Sequence, residues 1–306
     1  MKADMHMHSR YSDGWHWPQE LATMAAAQGL EAACLTDHDT LGGYPEFAKA
    51  AAAAGLTTWA AVEIDCIDEG LEYKSEILGY FPDGHYAATE ELLLAGRKER
   101  ARMMEAAFAR ARVLFSTPLI DFPSLVSRRL AGRAPDDPAI DESDLRYSKT
   151  DLFLALREAD AIPGDTAYRD FKRAYFDTGL LSDVRFSKPR LADVVATILS
   201  DGGIPVLPHV GHEFGDSASL MRSRSKDVAK LLDRCREVGV LGIELYDYRD
   251  ADTKAINALV ARQAGSRGFL CTYGSDFHGP GSNKTQFGSF HGDFKGFPRR
   301  KARRKG

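Results

Sequence analysis

The sequence predicts an α/β fold, because short apolar segments alternate with segments whose apolar residues recur at helical spacing. This alternation covers residues 1–87 and resumes over residues 187–290, and it is typical of βα units around a parallel sheet. Residues 88–186 contain no convincing strand and keep helical spacing in several stretches. We therefore expect a barrel-like α/β domain built from two parts of the chain, with an inserted helical cap subdomain at residues 88–186.

The first part is predicted to run β–α–β–α–β–β. Its first helix extends from Pro18 to Gly29, since proline fits the first turn of a helix and glycine fits its end. The other elements are strands at residues 31–36, 58–63 and 73–81 and a helix near residues 45–54. A Pro-Asp-Gly turn follows the last strand.

The rest of the chain is predicted in the same way. Residues 89–115 form one amphipathic helix that opens the insertion. In the second part, we expect helices at residues 191–201, 225–238 and 251–263 and strands at residues 204–208, 242–246 and 268–274.

The composition limits the function classes. With 306 residues, 44% of them hydrophobic, the chain can bury a large core, and its net charge of −4 provides no global attraction for nucleic acid. The four cysteines form no CxxC pair, so thiolate zinc sites and disulfide frameworks are not expected. The chain contains no apolar run of membrane-spanning length and no signal peptide at its start. These features predict a cytoplasmic protein with reduced thiols.

The chain ends in a basic segment, residues 291–306. Its last twelve residues carry seven basic side chains, namely Lys295, Arg299, Arg300, Lys301, Arg303, Arg304 and Lys305. Blocks of like charge are usually solvated, so we expect a mobile tail. Contact with nucleic acid is the less favoured alternative.

Histidines and carboxylates recur where the predicted strands end. His6 and His8 are two residues apart, so on a strand both side chains face the same way. The ends of barrel strands meet at one mouth, where several such side chains can bind a divalent metal. The other strand-end residues are Thr36-Asp37-His38-Asp39-Thr40, Glu63, His209 and Gly274-Ser275-Asp276-Phe277-His278. The sequence therefore predicts a metal site at the mouth, with scattered surface histidines as the alternative.

As an ordered set, these motifs resemble the polymerase and histidinol phosphatase (PHP) family of amidohydrolase-like metal enzymes. The resemblance lies in Asp4-x-His6-x-His8-Ser9, Ser12-Asp13-Gly14, Thr36-Asp37-His38-Asp39-Thr40, Glu63, His209 and Ser275-Asp276-x-His278. It implies a distorted (β/α)7 TIM-like barrel that holds two or three divalent metal ions. It also implies hydrolysis of phosphate esters by a metal-bound hydroxide, so that no side-chain nucleophile is needed. Nitrogen and carboxylate ligands without sulfur suit Zn, Mn or Fe.

The resemblance also implies how the ligands are shared. One metal would be held by His6, His8, Glu63 and Asp276; a second would share Glu63 and bind His209; a third would be held by Asp13, His38 and His278. One position departs from the family, because Glu76 stands where the family segment His-x-Leu-Gly-Tyr has its histidine. Either Glu76 ligates the second metal instead, or that position is reorganised or empty.

Five further polar residues are candidates for supporting roles. Asp4, Asp37 and Asp39 lie beside ligand histidines, where they either orient an imidazole through its free N–H or act as cap or turn residues. His212 and Arg146 are candidates for binding a substrate phosphate, and the alternative for both is a solvated side chain. Arg146 is the preferred choice, because a guanidinium binds phosphate through two hydrogen bonds.

We therefore expect a metal-dependent phosphoesterase that hydrolyses a phosphomonoester of a small metabolite or nucleotide, such as a nucleoside bisphosphate. The first alternative is an oligonucleotide phosphodiesterase or exonuclease, which the basic tail supports. A C–N hydrolase would need a strand-end lysine that is not evident, and a non-catalytic metal-binding module is suggested by Glu76. The expected partner is a small phosphorylated substrate, with no membrane and with nucleic acid less favoured; the oligomeric state stays open.

Overall fold

The computed structural model describes residues 1–298 except for residues 72, 74, 75, 119, 134–136, 138, 184, 185, 249–251, 281, 283 and 285. Over this part of the chain strands and helices alternate, and the predicted α/β class is confirmed. The strands are β1 (Lys2–Asp4), β2 (Ala32–Ala33), β3 (Ala60–Asp65), β4 (Glu76–Phe81), β5 (Ile204–Leu207), β6 (Gly242–Tyr246), β7 (Leu270–Gly274) and β8 (Gly292–Asp293). The α-helices are α1 (Pro18–Ala27), α2 (Tyr44–Ala53), α3 (Ala87–Leu114), α4 (Phe122–Leu130), α5 (Lys149–Glu158), α6 (Tyr168–Phe171), α7 (Leu191–Ser200), α8 (Ala218–Ser223), α9 (Ser225–Val238) and α10 (Thr253–Arg267).

The strands form two sheets and not one closed barrel. One sheet has the order β2-β1-β8 and the other the order β3-β4-β5-β6-β7. Near the predicted site the two sheets are joined by single parallel bridges, one between Met7 and Phe277 and one between His38 and Glu63. The continuous ladders stop there because ligand-bearing segments leave extended geometry; Asp39 and Asp276 both have φ of 51°. The expected distorted (β/α)7 TIM-like barrel is therefore not confirmed, because these ladders form two separate sheets.

One strand also runs against the others. β4 pairs antiparallel with both β3 and β5, whereas β5, β6 and β7 are mutually parallel. Only residues 66–75 connect β3 to β4, and a parallel crossover needs a dozen or more residues. The consequence is that the first residue of β4, Glu76, pairs with Asp65 at the end of β3. Glu76 thus lies at the edge where the parallel strands end.

Local sequence signals explain the start of the fold. Helix α1 begins at Pro18, and the carboxylate of Glu20 accepts a hydrogen bond of 2.7 Å from the backbone N–H of Trp17 just before it. The helix is followed by Gly29 with φ of 69°, a conformation that glycine adopts without strain. The predicted helix therefore has the expected ends.

The inserted segment builds a core of its own. Met104, Phe108, Leu152 and Phe171 are members of one buried apolar cluster that draws its buried residues almost wholly from the insertion. Helix α3 is long enough to join two cores, since its residue Leu93 packs in the cluster around β3 to β7. The predicted boundaries of the cap remain a prediction.

Part of the predicted basic tail, residues 291–306, packs against the fold. Residues Gly292–Asp293 form β8 and pair with β1, and Phe294 behind them is buried because it packs with Trp59 and Phe297. Apolar side chains before Arg299 thus anchor this end of the chain, whereas residues 299–306 lie outside the described residues. No helix in the described part is both long and apolar enough to cross a membrane.

Candidate metal centre

The predicted ligands meet at one edge of the two sheets. His6 and His8 follow β1, His209 follows β5, and Asp276 and His278 follow β7. Glu63 lies inside β3, and antiparallel β4 brings Glu76 to the same edge. Loops that follow β1 and β2 supply Asp13 and His38.

Potential ligand atoms collect in three overlapping groups, each with its atoms within 4.8 Å of one another. We call these the central group (His6, His8, Glu63 and Asp276), the Asp13 group (His8, Asp13, His38 and His278) and the Glu76 group (Glu63, Glu76 and His209). All nine predicted metal-binding residues are present in them. This geometry supports the predicted sharing of ligands, although the assignment of the ions stays a proposal.

Glu63 connects the groups. Its Oε2 lies 3.3 Å from Nε2 of both His6 and His8 and 3.2 Å from Nδ1 of His38. Its Oε1 lies 3.0 Å from Nε2 of His209. Burial opposes ionisation, but the neighbouring imidazoles outweigh it and hold the pKa of Glu63 well below its usual value.

Asp276 is the second carboxylate of the central group. Its Oδ1 lies 3.1 Å from Nε2 of His8 and 3.3 Å from Nδ1 of His278, and its Oδ2 accepts a 3.0 Å hydrogen bond from the hydroxyl of Tyr246. The ammonium of Lys284 also contacts Oδ2. Sequence reasoning missed Lys284, since nothing in the surrounding polar loop marks it.

Several buried polar atoms of these groups fit metal ions. Nδ1 of His8, Nδ1 of His38 and Oδ1 of Asp276 make no hydrogen bond of good geometry among the described residues, although other candidate ligand atoms lie close to the last two, at 3.2 Å and 3.1 Å. Buried polar atoms normally have partners, so such atoms need an explanation, and a bound ion is a common one. Burial and the nearby His278 also lower the pKa of His8 to about 4, which keeps the imidazole in the neutral form that ligates metals.

Asp4 and Asp37 support the backbone and do not orient a ligand ring. Oδ1 of Asp4 accepts hydrogen bonds from the backbone N–H of Ser275 (3.0 Å) and His6 (3.3 Å). Asp37 accepts from the backbone N–H (2.7 Å) and hydroxyl (2.6 Å) of Ser9. Burial raises the pKa of Asp4 to about 7. Of the two roles left open for these residues, the structure favours the turn role.

Asp39 belongs to a buried ion-pair network between the insertion and β3. Its Oδ2 lies 2.9 Å from Nη2 of Arg100 and 3.6 Å from Nε of Arg146. The same two arginines contact Asp65 at 2.6 Å and 3.2 Å, and Nζ of Lys188 lies 2.8 Å from the other oxygen of Asp65. Asp39 therefore anchors guanidinium groups and hydrogen-bonds no imidazole.

A cavity of about 920 Å³ lies between the ligand groups and the insertion. Asp13, His38 and Glu76 line it on one side, and Arg146 lines it from the inserted segment. Its other lining residues include Arg100, Lys149, Tyr168, Lys172, Phe176 and Lys188. The lining therefore contains five arginine and lysine side chains near the potential metal ligands, together with the carboxylates of Asp65, Asp177 and Asp183.

The two predicted phosphate-binding residues have different surroundings. Arg146 is buried and lines the cavity, so its position suits the predicted role. Nδ1 of His212 lies 2.6 Å from Oδ1 of Asp216, and burial together with His209 lowers the pKa of His212 to about 4. The lowered pKa disfavours a cationic ring, and the phosphate-binding role of His212 stays a prediction.

Glu244 is the main residue that sequence reasoning missed. It lies in β6, fully buried, and its Oε1 is 2.9 Å from Nδ1 of His6. It therefore has the partner that was expected for Asp4, Asp37 or Asp39. A carboxylate in the middle of the apolar strand Gly242–Tyr246 was the available signal, because glutamate is seldom fully buried unless paired.

Comparisons with known proteins agree with this geometry. Residues 4–114 match the PHP domain model. A 3',5'-nucleoside bisphosphate phosphatase from Chromobacterium violaceum is 28% identical over 93% of this chain and 90% of its own length. A phosphoribosyl 1,2-cyclic phosphate 1,2-diphosphodiesterase from Eggerthella lenta is 28% identical over 91% of this chain and 95% of its own. A candidate metal-dependent phosphoesterase from Bifidobacterium adolescentis, of known structure, has a TM-score of 0.65 at 22% identity, covering 92% of this chain and 89% of that one, which shows a shared fold.

Proposed function

From the match of residues 4–114 to the PHP domain model, we propose that this chain is a metal-dependent phosphoesterase that hydrolyses a phosphomonoester of a small metabolite or nucleotide. The observation that carries the proposal is the convergence of three potential ligand groups beside a cavity whose lining includes five arginine and lysine side chains. Metal ligands and cations that line one cavity suit a phosphoryl group, which is anionic and gains charge during transfer.

We propose that the three groups hold two or three divalent ions, with Zn, Mn or Fe as the candidates. The donor set is nitrogen and oxygen without sulfur, which suits these metals. When bound, such ions activate water and polarise a phosphoryl oxygen. Glu63 belongs to two groups and has two carboxylate oxygens, so it would ligate two ions, whereas the neutral imidazole of His8 has one free lone pair and would ligate one ion.

The chain's own cations would orient the substrate. Arg146 lines the cavity and is tied to Asp65, so its guanidinium is positioned before a substrate arrives. We propose that Arg146 binds the substrate phosphate, and we prefer it to His212, whose pKa is lowered by burial and by His209. A guanidinium offers several N–H donors in one plane, which suits a phosphate.

The insertion would restrict the substrate to small molecules. We propose that residues 88–186 form a cap, because side chains from this segment close one side of the cavity. A volume of about 920 Å³ lies within the usual range for small-molecule sites. The two relatives named above are a nucleoside bisphosphate phosphatase and a phosphoribosyl cyclic phosphate diphosphodiesterase, which supports a small nucleoside or sugar phosphate as the substrate class.

Substrate assays test the proposal directly. Manganese-loaded and zinc-loaded protein should release inorganic phosphate from nucleoside monophosphates and bisphosphates, and chelation should stop the reaction. A chain lacking residues 299–306 should keep this activity, because a small substrate in the cavity does not need the basic segment. Degradation of oligonucleotides without phosphate release from mononucleotides, with strong dependence on salt, would favour the nuclease alternative.

The redox state of the cysteines bears on the cellular compartment in which the protein works. Cys34, Cys66 and Cys235 are buried and unpaired with one another, and Cys271 is partly buried and also free. Free thiols without disulfides are typical of proteins in a reducing compartment. We therefore retain a cytoplasmic location as part of the proposal.

A further inference from the structure

One buried carboxylate connects two of the three ligand groups without belonging to any of them. Glu244 is fully buried in β6, and its two oxygens have different partners. Oε1 lies 2.9 Å from Nδ1 of His6, in the central group. Oε2 accepts a 3.0 Å hydrogen bond from the backbone N–H of His209, in the Glu76 group.

The contact with His6 determines which ring nitrogen faces the site. An ionised carboxylate only accepts hydrogen bonds, so a neutral His6 must carry its hydrogen on Nδ1 to satisfy Glu244. The lone pair of Nε2 then faces the central group, where Nε2 of His8 lies 3.1 Å away and Oε2 of Glu63 lies 3.3 Å away. Glu244 thereby selects the form of His6 that can ligate through Nε2.

The contact with His209 stabilises an unusual backbone conformation at that residue. His209 has φ of 29° and ψ of 49°, close to the left-handed region that non-glycine residues seldom adopt. Such a conformation persists only where surrounding contacts enforce it. The hydrogen bond from its N–H to Glu244 is one such contact, and it aims the imidazole at Oε1 of Glu63.

The neighbouring strand leaves room for this arrangement. Gly274 of β7 pairs with Tyr246 in the ladder beside Glu244. A Cβ atom at position 274 would lie 2.0 Å from Oε1 of Glu244 and 2.5 Å from Cβ of His6. Both distances are far below van der Waals contact, so only glycine lets the carboxylate meet the imidazole here.

We infer that Glu244 is a positioning residue that fixes the ring of His6 and the backbone of His209, and so prepares two metal positions at once. This inference rests on the proposed function, because it takes His6 and His209 as metal ligands. It goes further by naming the residue that makes the central group and the Glu76 group depend on each other. The Asp13 group contains neither His6 nor His209 and should be independent of Glu244.

Glu244→Gln is the sharpest variant, because glutamine has nearly the same size but only one acceptor oxygen. If that oxygen faces the N–H of His209, its NH2 group faces Nδ1 of His6 and forces the hydrogen of His6 onto Nε2. If the oxygen faces His6 instead, the N–H of His209 meets a second donor. Either arrangement damages one of the two metal positions. Thr272→Val is the matched control, since Thr272 pairs with Glu244 in the ladder and is equally buried.

Metal content should be measured by equilibrium dialysis against buffered free zinc or manganese, followed by elemental analysis. We expect Glu244→Gln to need about 10–100-fold more free metal to fill at least one equivalent per chain, with Thr272→Val unchanged. A Glu244→Gln binding curve that superimposes on that of the wild type would overturn the inference. A wild-type chain that binds no metal would instead overturn the proposed function.

A measurement on the wild type covers the case in which the variant does not fold. Long-range ¹H–¹⁵N NMR of the zinc-loaded protein reports which ring nitrogen of each histidine carries hydrogen. The hydrogen of His6 is expected on Nδ1. A hydrogen on Nε2, or none on Nδ1, would rule out the positioning role of Glu244.

Discussion

Nη2 of Arg146 lies 3.2 Å from Oδ2 of Asp65, which joins the inserted segment to the strand that carries Glu63. Asp65 is two residues after Glu63 in β3 and also contacts Arg100 and Lys188. The ion pair is buried, so its charges are poorly screened by solvent. This ion pair therefore links a residue of the cavity wall to the strand that carries the candidate ligand Glu63.

Replacing Arg146 should affect both stability and activity. Arg146→Ala should lower the free energy of unfolding by about 3 kcal/mol, because removing one partner of a buried pair leaves the other uncompensated. The value should not be larger, since Asp65 keeps Arg100 and Lys188. Turnover of a phosphomonoester should fall about 100-fold if the guanidinium stabilises the phosphoryl group. Urea unfolding and steady-state kinetics measure the two effects.

Arg110→Ala is the control for this prediction. Arg110 pairs with Asp183 at 2.8 Å within the insertion, but the two side chains are 40% and 74% exposed. An exposed pair contributes about 0–1 kcal/mol, so this variant should resemble the wild type in both assays. Equal effects of the two substitutions would mean that Arg146 has no special role.

Metal binding is the most direct prediction. Protein supplied with zinc or manganese should hold at least two ions per chain, and removing them with a chelator should abolish hydrolysis and lower the melting temperature. Stabilisation is expected because ions that bind only the folded chain favour folding. Elemental analysis measures the content, and fewer than one ion per chain at saturation would contradict the catalytic proposal.

His8 should be among the least replaceable ligands, because it belongs to two groups. His8→Ala should reduce the metal content by more than Asp13→Ala, which affects one group, and should lower turnover at least about 100-fold, the scale of losing an electrostatic catalytic interaction. His291→Ala is the control, since His291 is exposed and its one hydrogen bond to the described residues is with the carbonyl of Gly288. Retained turnover in purified His8→Ala would show that the ligands are assigned wrongly.

Glu76 tests whether a carboxylate replaces the family histidine. Its Oε2 lies 3.8 Å from Nε2 of His209, close enough for both to bind one ion. Glu76→Ala should lose about one ion per chain, whereas Glu76→His should retain it and keep or raise activity. If neither substitution changes metal content or rate, Glu76 is not a ligand.

The ion pairs of Asp65 should make the free energy of unfolding depend on pH. Burial opposes its ionisation, but Arg146, Lys188 and Arg100 outweigh this and hold its pKa well below the usual value. In the unfolded chain an aspartate has a pKa of about 3.9. Because the pKa of Asp65 is lower in the folded state, its ion pairs stabilise the fold fully above about pH 4. That stabilisation is lost gradually as the pH falls from there towards the pKa of the folded state.

The measurement compares the wild type with Asp65→Asn, both without metal, by urea unfolding. The wild type should be more stable at pH 6, and the difference should begin to shrink below about pH 4, where Asp65 of the unfolded chain takes up a proton while Asp65 of the folded chain stays ionised. Asp183→Asn, at an exposed pair, should show a much smaller difference at either pH. A difference for Asp65→Asn that is independent of pH would contradict this assignment of the ion pairs.

The sequence alone predicted a candidate ligand set, whose members the fold brings together, and the class of chemistry. Histidine and carboxylate side chains are recognisable in a sequence as potential metal ligands. Here they are His6 and His8 at strand spacing, Glu63, His209 and the Asp276-x-His278 pair. Parallel strands end at one edge whatever their exact lengths, so the convergence of these residues followed from the alternation of strands and helices. The PHP family and a hydrolase of phosphoric esters were predicted from the same motifs and agree with the comparisons.

Only the tertiary structure decided which residues support those ligands. Asp4, Asp37 and Asp39 are adjacent to the ligands in sequence, yet backbone groups and arginines are their partners, while Glu244, 238 residues beyond His6, holds the His6 ring. The direction of β4 likewise placed Glu76 beside His209. A hydrogen bond of 2.9 Å depends on how strands from distant parts of the chain register, and spacing along the chain does not contain that information.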